Sequence, residues 1–291
     1  MRNIVAYNLI LRYSIVLLLF TLAHCNGKKQ DNSLKNIDPK TVVYTVDDPA
    51  FDRKTGIFKA DKYTGALWHF DTLSSSILED DSGRQDNYGD VHSAQLVNTG
   101  RFAKSYKFDG KSSYIEIDDS PYTSPIHAIT VEFWAFIEKD QHGVGFPTFL
   151  SKDSTYQGSG QPSYEFYLNN VASDEYGYNI IWRINTDAGE FALPADNSEW
   201  NWRQHLADQK WHYFAMTYDG EEMRLYVDGT LKNKRKIKKS KLSQTKNPLR
   251  ISRKYGETGN FFNGLMDELR ISNVARSETA ISTYWKGVQG K

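Results

Sequence analysis

The most regular alternation of apolar and polar residues lies in the stretch Trp211–Gly229. Within it, the run Met223–Val227 places three apolar side chains on one face, because successive side chains of a strand point to opposite faces. The run is bounded by Asp219-Gly220 and Asp228-Gly229, and Asp-Gly pairs tolerate the positive φ angles of type I′ turns. The pattern predicts two consecutive hairpins of an antiparallel meander.

Apolar runs of strand length, separated by turn-forming residues, recur along the rest of the chain. They are Ala66–Phe70, Tyr114–Ile117, Thr130–Ile137, Tyr164–Leu168, Asn179–Ile184, Trp211–Tyr218, Met223–Val227, Leu249–Ser252 and Leu269–Ile271. Near the end of the chain, Ser277 is a candidate N-cap and Glu278 would lie in the first turn of a short C-terminal helix. Many short strands at this spacing predict an all-β fold, a two-sheet antiparallel jelly-roll sandwich.

Several of these segments, taken in order, resemble the laminin-G-like (concanavalin A-like) jelly-roll domains of bacterial surface proteins. They are Ala66–Asp71, Asp81–Gly83, Phe108–Gly110, Tyr114–Ile117, Thr130–Trp134, Trp211-His212, the hairpins from Tyr218 to Gly229, and Gly264–Ile271. The resemblance covers residues 63–287 and implies the same jelly roll. It leaves the function open, because this architecture hosts lectins, adhesins, glycan-binding modules and glycosidases.

Residues 1–25 have the features of an export signal. Arg2 and Arg12 precede a short apolar run, Ile15–Ala23, that cannot span a bilayer. Cys25, the only cysteine, lies where the lipobox cysteine of bacterial lipoproteins is acylated, although His24 replaces the small residue favoured there. We expect an exported lipoprotein held at the outer membrane or cell surface, with an ordinary cleaved signal peptide as the alternative.

Residues 26–62 are expected to form a polar tether and an N-terminal extension ahead of the jelly-roll domain. The tether follows from the polar, aperiodic composition of its first part, which suits a flexible connection between lipid and domain. The chain carries 36 Lys and Arg against 36 Asp and Glu, and this balance argues against a nucleic-acid-binding protein.

The motifs of the common hydrolases are absent. Glucanases of the resembled architecture carry three carboxylates in the pattern E-x-D-x-x-E; the nearest approach here, Glu116-Ile117-Asp118, has Pro121 at the third position. The chain also lacks a G-x-S-x-G elbow and an H-E-x-x-H zinc motif. We therefore predict a protein that is not an enzyme, with a divergent glycoside hydrolase as the alternative.

The resemblance further implies one structural calcium ion near the rim of a sheet. The aspartates that match are Asp71, Asp109 and Asp267, which lie at predicted strand ends or turns. Calcium takes about six to eight oxygen ligands, so loops from several strands can assemble such a site. The alternative is that these aspartates only shape turns or accept backbone N–H groups.

Aromatic residues in polar stretches are candidate sugar platforms, because the apolar faces of sugars pack on indole and phenol rings. Trp200 and Trp202 would share a face in an extended segment, and so would Tyr176 and Tyr178, with Arg183 as a hydrogen-bond donor nearby. The alternative for each is a buried position. Three strand tryptophans are expected in the core: Trp68, Trp134 and Trp211.

Residues 231–254 contain many lysines and arginines with no acidic residue between them. The candidate polyanion-binding residues in this basic run are Lys234, Arg235, Lys236, Lys238 and Lys239. The alternative is a solvated, lysine-rich edge strand that prevents edge-to-edge association of sheets.

These features together predict an exported, lipid-anchored, non-catalytic protein that binds carbohydrate or another extracellular ligand. A protein-interaction, scaffold or polyanion-binding domain that uses the basic run is the first alternative, and the divergent hydrolase is the second.

Overall fold

A computed structural model of the protein describes residues 44–72, 76–84, 87–142, 145–152, 162–196, 200–254 and 260–291. Cys25, the predicted export signal and residues 26–43 of the predicted tether lie outside the described residues. Within the described ranges, no helix is long and apolar enough to span a membrane.

The described chain is built almost entirely from short strands. They are β1 Thr45–Val46, β2 Thr64–Trp68, β3 Ile77–Leu78, β4 Gly89–His92, β5 Gln95–Val97, β6 Ser105–Asp109, β7 Tyr114–Ile117, β8 Ile129–Ile137, β9 Thr148–Lys152, β10 Tyr164–Leu168, β11 Ile180–Thr186, β12 Gly189–Pro194, β13 Trp211–Tyr218, β14 Glu222–Val227, β15 Thr230–Lys236, β16 Leu249–Ile251, β17 Asn263–Ser272 and β18 Ala275–Arg276. The helices are α1 Trp202–His205 and α2 Glu278–Val288.

Most of the strands form two antiparallel sheets, which confirms the predicted jelly-roll sandwich. Sheet I has the order β12-β11-β10-β9-β16-β7-β4-β3. Sheet II has the order β15-β14-β13-β8-β17-β6-β5, with β2 also paired to β17, and β1 pairs separately with β18 in parallel. The predicted C-terminal helix is α2, and the Ser277 side chain caps it by accepting the backbone N–H of Ala280.

A cluster of phenylalanines fills the space between the two sheets. Phe133 and Phe214 of sheet II meet Phe149 and Phe166 of sheet I, and their ring centroids are 5.2 to 5.7 Å apart. All four rings are fully buried. Contacts at these distances add offset and edge-to-face attraction to the hydrophobic burial.

A second apolar layer covers the outer face of sheet II. Helix α2 contributes Tyr284, and the segment ahead of β2 contributes Phe51 and Phe58, all buried against Trp134. The indole N–H of Trp134 donates to the Tyr284 hydroxyl at 2.8 Å. Two residues from the predicted N-terminal extension thus belong to a buried cluster of the folded domain, while Trp68 lies in the core between the sheets.

One buried carboxylate joins the centre of sheet II to this N-terminal segment. Oε2 of Glu132 on β8 accepts from Nη2 of Arg270 at 2.7 Å and lies 3.3 Å from Nε of Arg276. All three side chains are at most 1 % exposed. Nε of Arg270 also donates to Oε2 of Glu132, and its Nη1 and Nη2 groups donate to the backbone carbonyls of Ala50 and Pro49.

The two predicted hairpins differ in their turns. At Asp228-Gly229 both residues have positive φ, 51° and 68°, as a type I′ turn requires. At Asp219-Gly220 only Gly220 has a positive φ. In this turn Oδ1 of Asp219 accepts the backbone N–H groups of Glu221 and Glu222.

An ion-paired histidine holds the second turn in place. Nδ1 of His212 lies 2.8 Å from Oδ2 of Asp228, and its Nε2 lies 3.0 Å from Oδ1 of Asp208. Burial alone would lower the pKa of the imidazole, but the two carboxylates outweigh it and raise the pKa of His212 above 6.5. The contacts of the ring with Asp228 and Asp208 therefore tie β13 to the β14–β15 turn, and protonation of the ring strengthens them.

We expect Glu132→Gln to lower the free energy of unfolding by about 3–5 kcal/mol, because it leaves two buried guanidinium groups short of their counter-ion. Urea unfolding followed by circular dichroism measures this loss. Glu221→Gln is the matched control: its carboxylate pairs with Lys239 at the surface, 62 % exposed, and the change should be almost without effect. Equal and small losses in the two variants would contradict the assigned importance of the buried network.

We also expect stability to fall as the pH rises through the pKa of folded His212. Because this pKa lies above the 6.5 of the unfolded chain, the stabilisation is fully present below pH 6.5 and is lost at higher pH. Urea unfolding of the wild type and of His212→Asn between pH 5.5 and pH 9 measures the effect. The free-energy difference between the two proteins should shrink as the pH rises; a constant difference would show that His212 is uncharged in the folded state.

Candidate functional site

Trp200 and Trp202 do not form a common platform. Asn201 caps helix α1 by accepting the backbone N–H of Arg203, so the segment is helical after residue 201 and not extended. Trp202 is fully buried, and its indole N–H donates to the carbonyl of Asn169 at 3.0 Å. The prediction of Trp202 as a ligand-binding residue is therefore wrong, because the helical turn directs its ring into the core.

Trp200 lies at the surface and forms one wall of a recess. Its indole is only partly buried and stacks on the exposed imidazole of His205, with centroids 5.4 Å apart and planes at 6°. The recess has a volume of about 180 Å³. Its lining residues are Trp200, His205, Leu206, Val227, Asp228, Thr230 and Lys232. We call it the Trp200 recess.

The Trp200 recess depends on the geometry of the β14–β15 turn. Both carboxylate oxygens of Asp228 are engaged inside the protein, one by His212 and the other by the backbone N–H of Tyr213 at 3.0 Å. Gly229 has positive φ, and a side chain there would collide with Trp285 of α2. Thr230 and Lys232, the first exposed polar residues after the turn, line the recess.

The predicted tyrosines and Arg183 do not line this recess. Tyr178 is partly buried under the guanidinium of Arg203, 5.3 Å from its ring centroid. Tyr176 is partly exposed, and burial raises the pKa of its phenol. Arg183 projects from β11 on the outer face of sheet I, where it forms ion pairs with two glutamates.

The ion pairs of Arg183 organise that outer face. Its guanidinium lies 3.0 Å from Glu165 and 3.3 Å from Glu190, and it donates to the Tyr167 hydroxyl at 2.7 Å. Lys254 lies 3.6 Å from the second oxygen of Glu165. The charges on this part of the face are therefore largely paired with one another.

The three predicted calcium ligands do not come together. Asp109 shapes a turn, because its carboxylate accepts the backbone N–H groups of residues 111, 112 and 113. Burial would raise the pKa of Asp109, but these hydrogen bonds outweigh burial and hold the pKa well below 3.8. In the sheet it pairs with Asn263, about 13 Å along β17 from Asp267. Among the described residues, no group of three or more His, Cys, Asp or Glu side chains is arranged to hold a metal ion.

Asp71 and Asp267 do contact one loop. Asp71 accepts the backbone N–H of Lys104 at 2.9 Å, and Asp267 accepts that of Phe102 at 2.8 Å. Asp267 is fully buried, and burial together with the charge of Glu268 raises its pKa well above 3.8.

The basic run begins on β15, the terminal strand of sheet II. Lys234, Lys236 and Lys238 are exposed. Arg235 instead donates to the carbonyl of Ala192 on β12 at 2.9 Å. Lys239 lies 3.6 Å from Glu221. The structure therefore divides the five predicted residues into three solvated lysines and two residues with partners on the protein.

Two further residues of the recess, His205 and Lys232, were not predicted as site residues. Lys232 is the first of the alternating lysines 232, 234, 236 and 238 that follow the Asp228-Gly229 hairpin signal, and this position indicated it as part of the basic run. His205 reaches Trp200 only through the α1 turn, which the short polar segment does not reveal.

Comparisons with known proteins agree with this architecture. No curated protein matches the sequence. Among solved structures, the binding domain of Paraclostridial Mosquitocidal Protein 1 is similar, with a TM-score of 0.57 and 16 % identity over 76 % of this chain and 51 % of that one. Domain 4 of AbnA, an extracellular arabinanase from Geobacillus stearothermophilus solved with arabinotriose, gives a TM-score of 0.55 and 16 % identity over 76 % of this chain and 98 % of that one.

The binding domain of Botulinum Neurotoxin DC, solved with SialylT, has a TM-score of 0.54 and 13 % identity over 77 % of this chain and 51 % of that one. The chain thus spans about half the length of the toxin domains it matches. In sequence, the family model of the concanavalin A-like lectin/glucanases superfamily matches residues 109–282, more than half of the chain. The protein belongs to the concanavalin A-like lectin/glucanase superfamily.

Proposed function

We propose that this is a non-catalytic carbohydrate-binding protein, exported and anchored to a membrane through lipid on Cys25, and that the sugar binds in the Trp200 recess. The observation that carries the proposal is the half-buried indole of Trp200, stacked on His205 beside a recess with polar groups at its mouth. A sugar ring can pack its apolar face on the indole while its hydroxyls reach those polar groups.

Each side chain of the recess has a distinct part in this proposal. The stacked His205 ring supports Trp200 and limits its rotation, so less conformational freedom is lost on binding. Leu206 and Val227 form an apolar floor. Thr230 offers a hydroxyl, and Lys232 offers three N–H donors at the mouth.

Two of the similar structures support a sugar ligand. The arabinanase domain was solved with arabinotriose and the neurotoxin domain with SialylT. Their identity to this chain is 16 % and 13 %, so they support the class of ligand and do not identify a shared site.

The ion pairs on the outer face of sheet I support a role other than hydrolysis. A glycoside hydrolase uses one carboxyl group as a protonated general acid and a second carboxylate as nucleophile or base. Glu165 and Glu190 are both paired with Arg183, a residue that is always charged. Both glutamates therefore belong to an ion-paired cluster in the folded protein.

We expect Trp200→Ala to weaken glycan binding by roughly ten-fold or more and to lower the melting temperature far less than Trp202→Ala does, because the removed indole is partly exposed and forms the recess wall. Trp202→Ala is the informative counterpart. It removes a fully buried indole two residues away and should cost about 3–5 kcal/mol of stability. A glycan array that includes neutral, acidic and arabinose-containing oligosaccharides, combined with thermal unfolding, tests both variants. Retained binding in Trp200→Ala would exclude the recess as the site.

We further propose that Asp71 and Asp267, without Asp109, bind a structural calcium ion. Oδ1 of Asp267 is buried and has no hydrogen-bond partner among the described residues. An ion there would need backbone carbonyls to complete about six to eight oxygen ligands, and it would fix the loop that contains residues 102–104.

We expect calcium to raise the melting temperature of the wild type relative to a chelator, because an ion bound only by the folded state stabilises it. Asp267→Asn should remove this calcium response. Asp109→Asn should keep it, since Asp109 is occupied by its own turn. Equal melting temperatures of the wild type in calcium and in chelator would limit Asp71 and Asp267 to accepting backbone hydrogen bonds.

A further inference from the structure

We infer that the Trp200 recess and strand β15 form one continuous site for an acidic polysaccharide, whose carboxylate or sulfate groups bind Lys232 and Lys234. The inference rests on the proposed sugar-binding role of Trp200 and specifies the class of sugar. It joins two features that the sequence presents separately, an aromatic platform and a basic run.

The first observation is the charge balance of the recess. Its carboxylate, Asp228, has both oxygens engaged by His212 and the backbone of Tyr213. Lys232 is exposed and forms no hydrogen bond or ion pair with any residue in the described ranges. The recess therefore offers one uncompensated positive charge next to the indole, and an anionic substituent on a stacked sugar would neutralise it.

The second observation is the direction of the side chains along β15. Asn233 and Arg235 point towards β12 of sheet I, where their amide and guanidinium donate to the carbonyls of Pro194 and Ala192 at 2.9 Å. Lys234 and Lys236 alternate with them and are exposed, and the exposed Lys232 lies at the bulge where the pairing of β15 with β14 shifts by one residue. Because Asn233 and Arg235 fix the strand on both sides of Lys234, Lys234 and Lys236 keep the spacing of about 7 Å between alternate residues of a strand.

The extent of the basic stretch is also defined. A second recess, of about 380 Å³, lies beyond Lys234 and is lined by Lys236, Lys239 and the carboxylates of Asp219, Glu221 and Glu222. Arg224 lines the same recess and pairs with Asp219 and Glu222, each at 2.8 Å, so the three acids meet three cations there. Glu222 also lies directly opposite Lys236 in the strand pairing. Lys232 and Lys234 therefore lie outside the acid-lined recess, and Lys232 lines the recess of Trp200.

A row of cations at fixed spacing suits a polymer with acidic groups at regular intervals. A fluid anionic bilayer needs no such register and no aromatic wall, so a polysaccharide fits the arrangement better. Uronic-acid carboxylates and sulfate esters share the chemistry that the lysines recognise, and the experiment separates these two sources.

The test uses the full chain with Cys25→Ser, so that no lipid contributes to binding. Affinity is measured at several salt concentrations for heparin, polygalacturonate, neutral dextran and phosphatidylglycerol vesicles. We expect binding to heparin or polygalacturonate and none to dextran. We expect Lys232→Gln/Lys234→Gln to weaken it by roughly ten-fold or more and to lower the slope of log affinity against log salt by about two.

Two further variants complete the design. Trp200→Ala should also weaken binding to the acidic polymer by roughly ten-fold or more. Lys107→Gln/Lys286→Gln removes two exposed lysines from β6 and α2 and leaves the net charge equal to that of the β15 variant. This control should bind like the parent protein.

Each other result of these binding measurements contradicts a specific part of the inference. Binding of dextran that depends on Trp200 and is insensitive to both lysine variants would overturn the acidic-ligand inference and keep the sugar-binding proposal. Binding of acidic polymers that is unaffected by Trp200→Ala would overturn the continuous site. Binding to vesicles only, or to none of the four probes, would overturn the acidic-polysaccharide inference, and the glycan array described above decides the sugar-binding proposal separately.

Discussion

A buried carboxylate between two buried guanidinium groups is the constraint on which the rest of the structure depends. Glu132 lies on β8 at the centre of sheet II, and Arg270 pairs with it from the adjacent β17. Such charges are costly to remove from water, so each must find its partner in the folded state. Because Arg270 and Arg276 also bind backbone carbonyls of residues 48–50, the same network fastens the N-terminal segment across sheet II.

The consequences of this fastening reach the proposed site. Phe51 and Phe58 are carried onto the outer face of sheet II, where they pack with α2. Helix α2 in turn places Trp285 against Gly229, at the turn that positions Thr230 and Lys232. The turn that carries Thr230 and Lys232 is therefore held by two contacts, Trp285 against Gly229 and the ion pair between His212 and Asp228.

Much of the fold could be predicted because it is determined locally. Alternation and Asp-Gly turns located the meander, and Ser277 located the start of α2. The network around Glu132 could not be predicted, since Glu132 lies 138 residues before Arg270 and no short motif joins them. Trp202 was misjudged because a four-residue helix capped by Asn201 replaces the extended segment. Asp109 was assigned to a metal because an aspartate that accepts hydrogen bonds within its turn and a calcium ligand have the same local sequence.

The binding of a sugar on Trp200 is tested most directly by nuclear magnetic resonance of the indole N–H signals. The chain has seven tryptophans, and Trp200→Phe assigns the relevant signal. Titration with an acidic oligosaccharide should shift the Trp200 signal, while the signals of the buried Trp68, Trp134 and Trp202, whose N–H groups are bonded inside the protein, stay in place. A saturable shift of other tryptophan signals with Trp200 unchanged would contradict the proposed site.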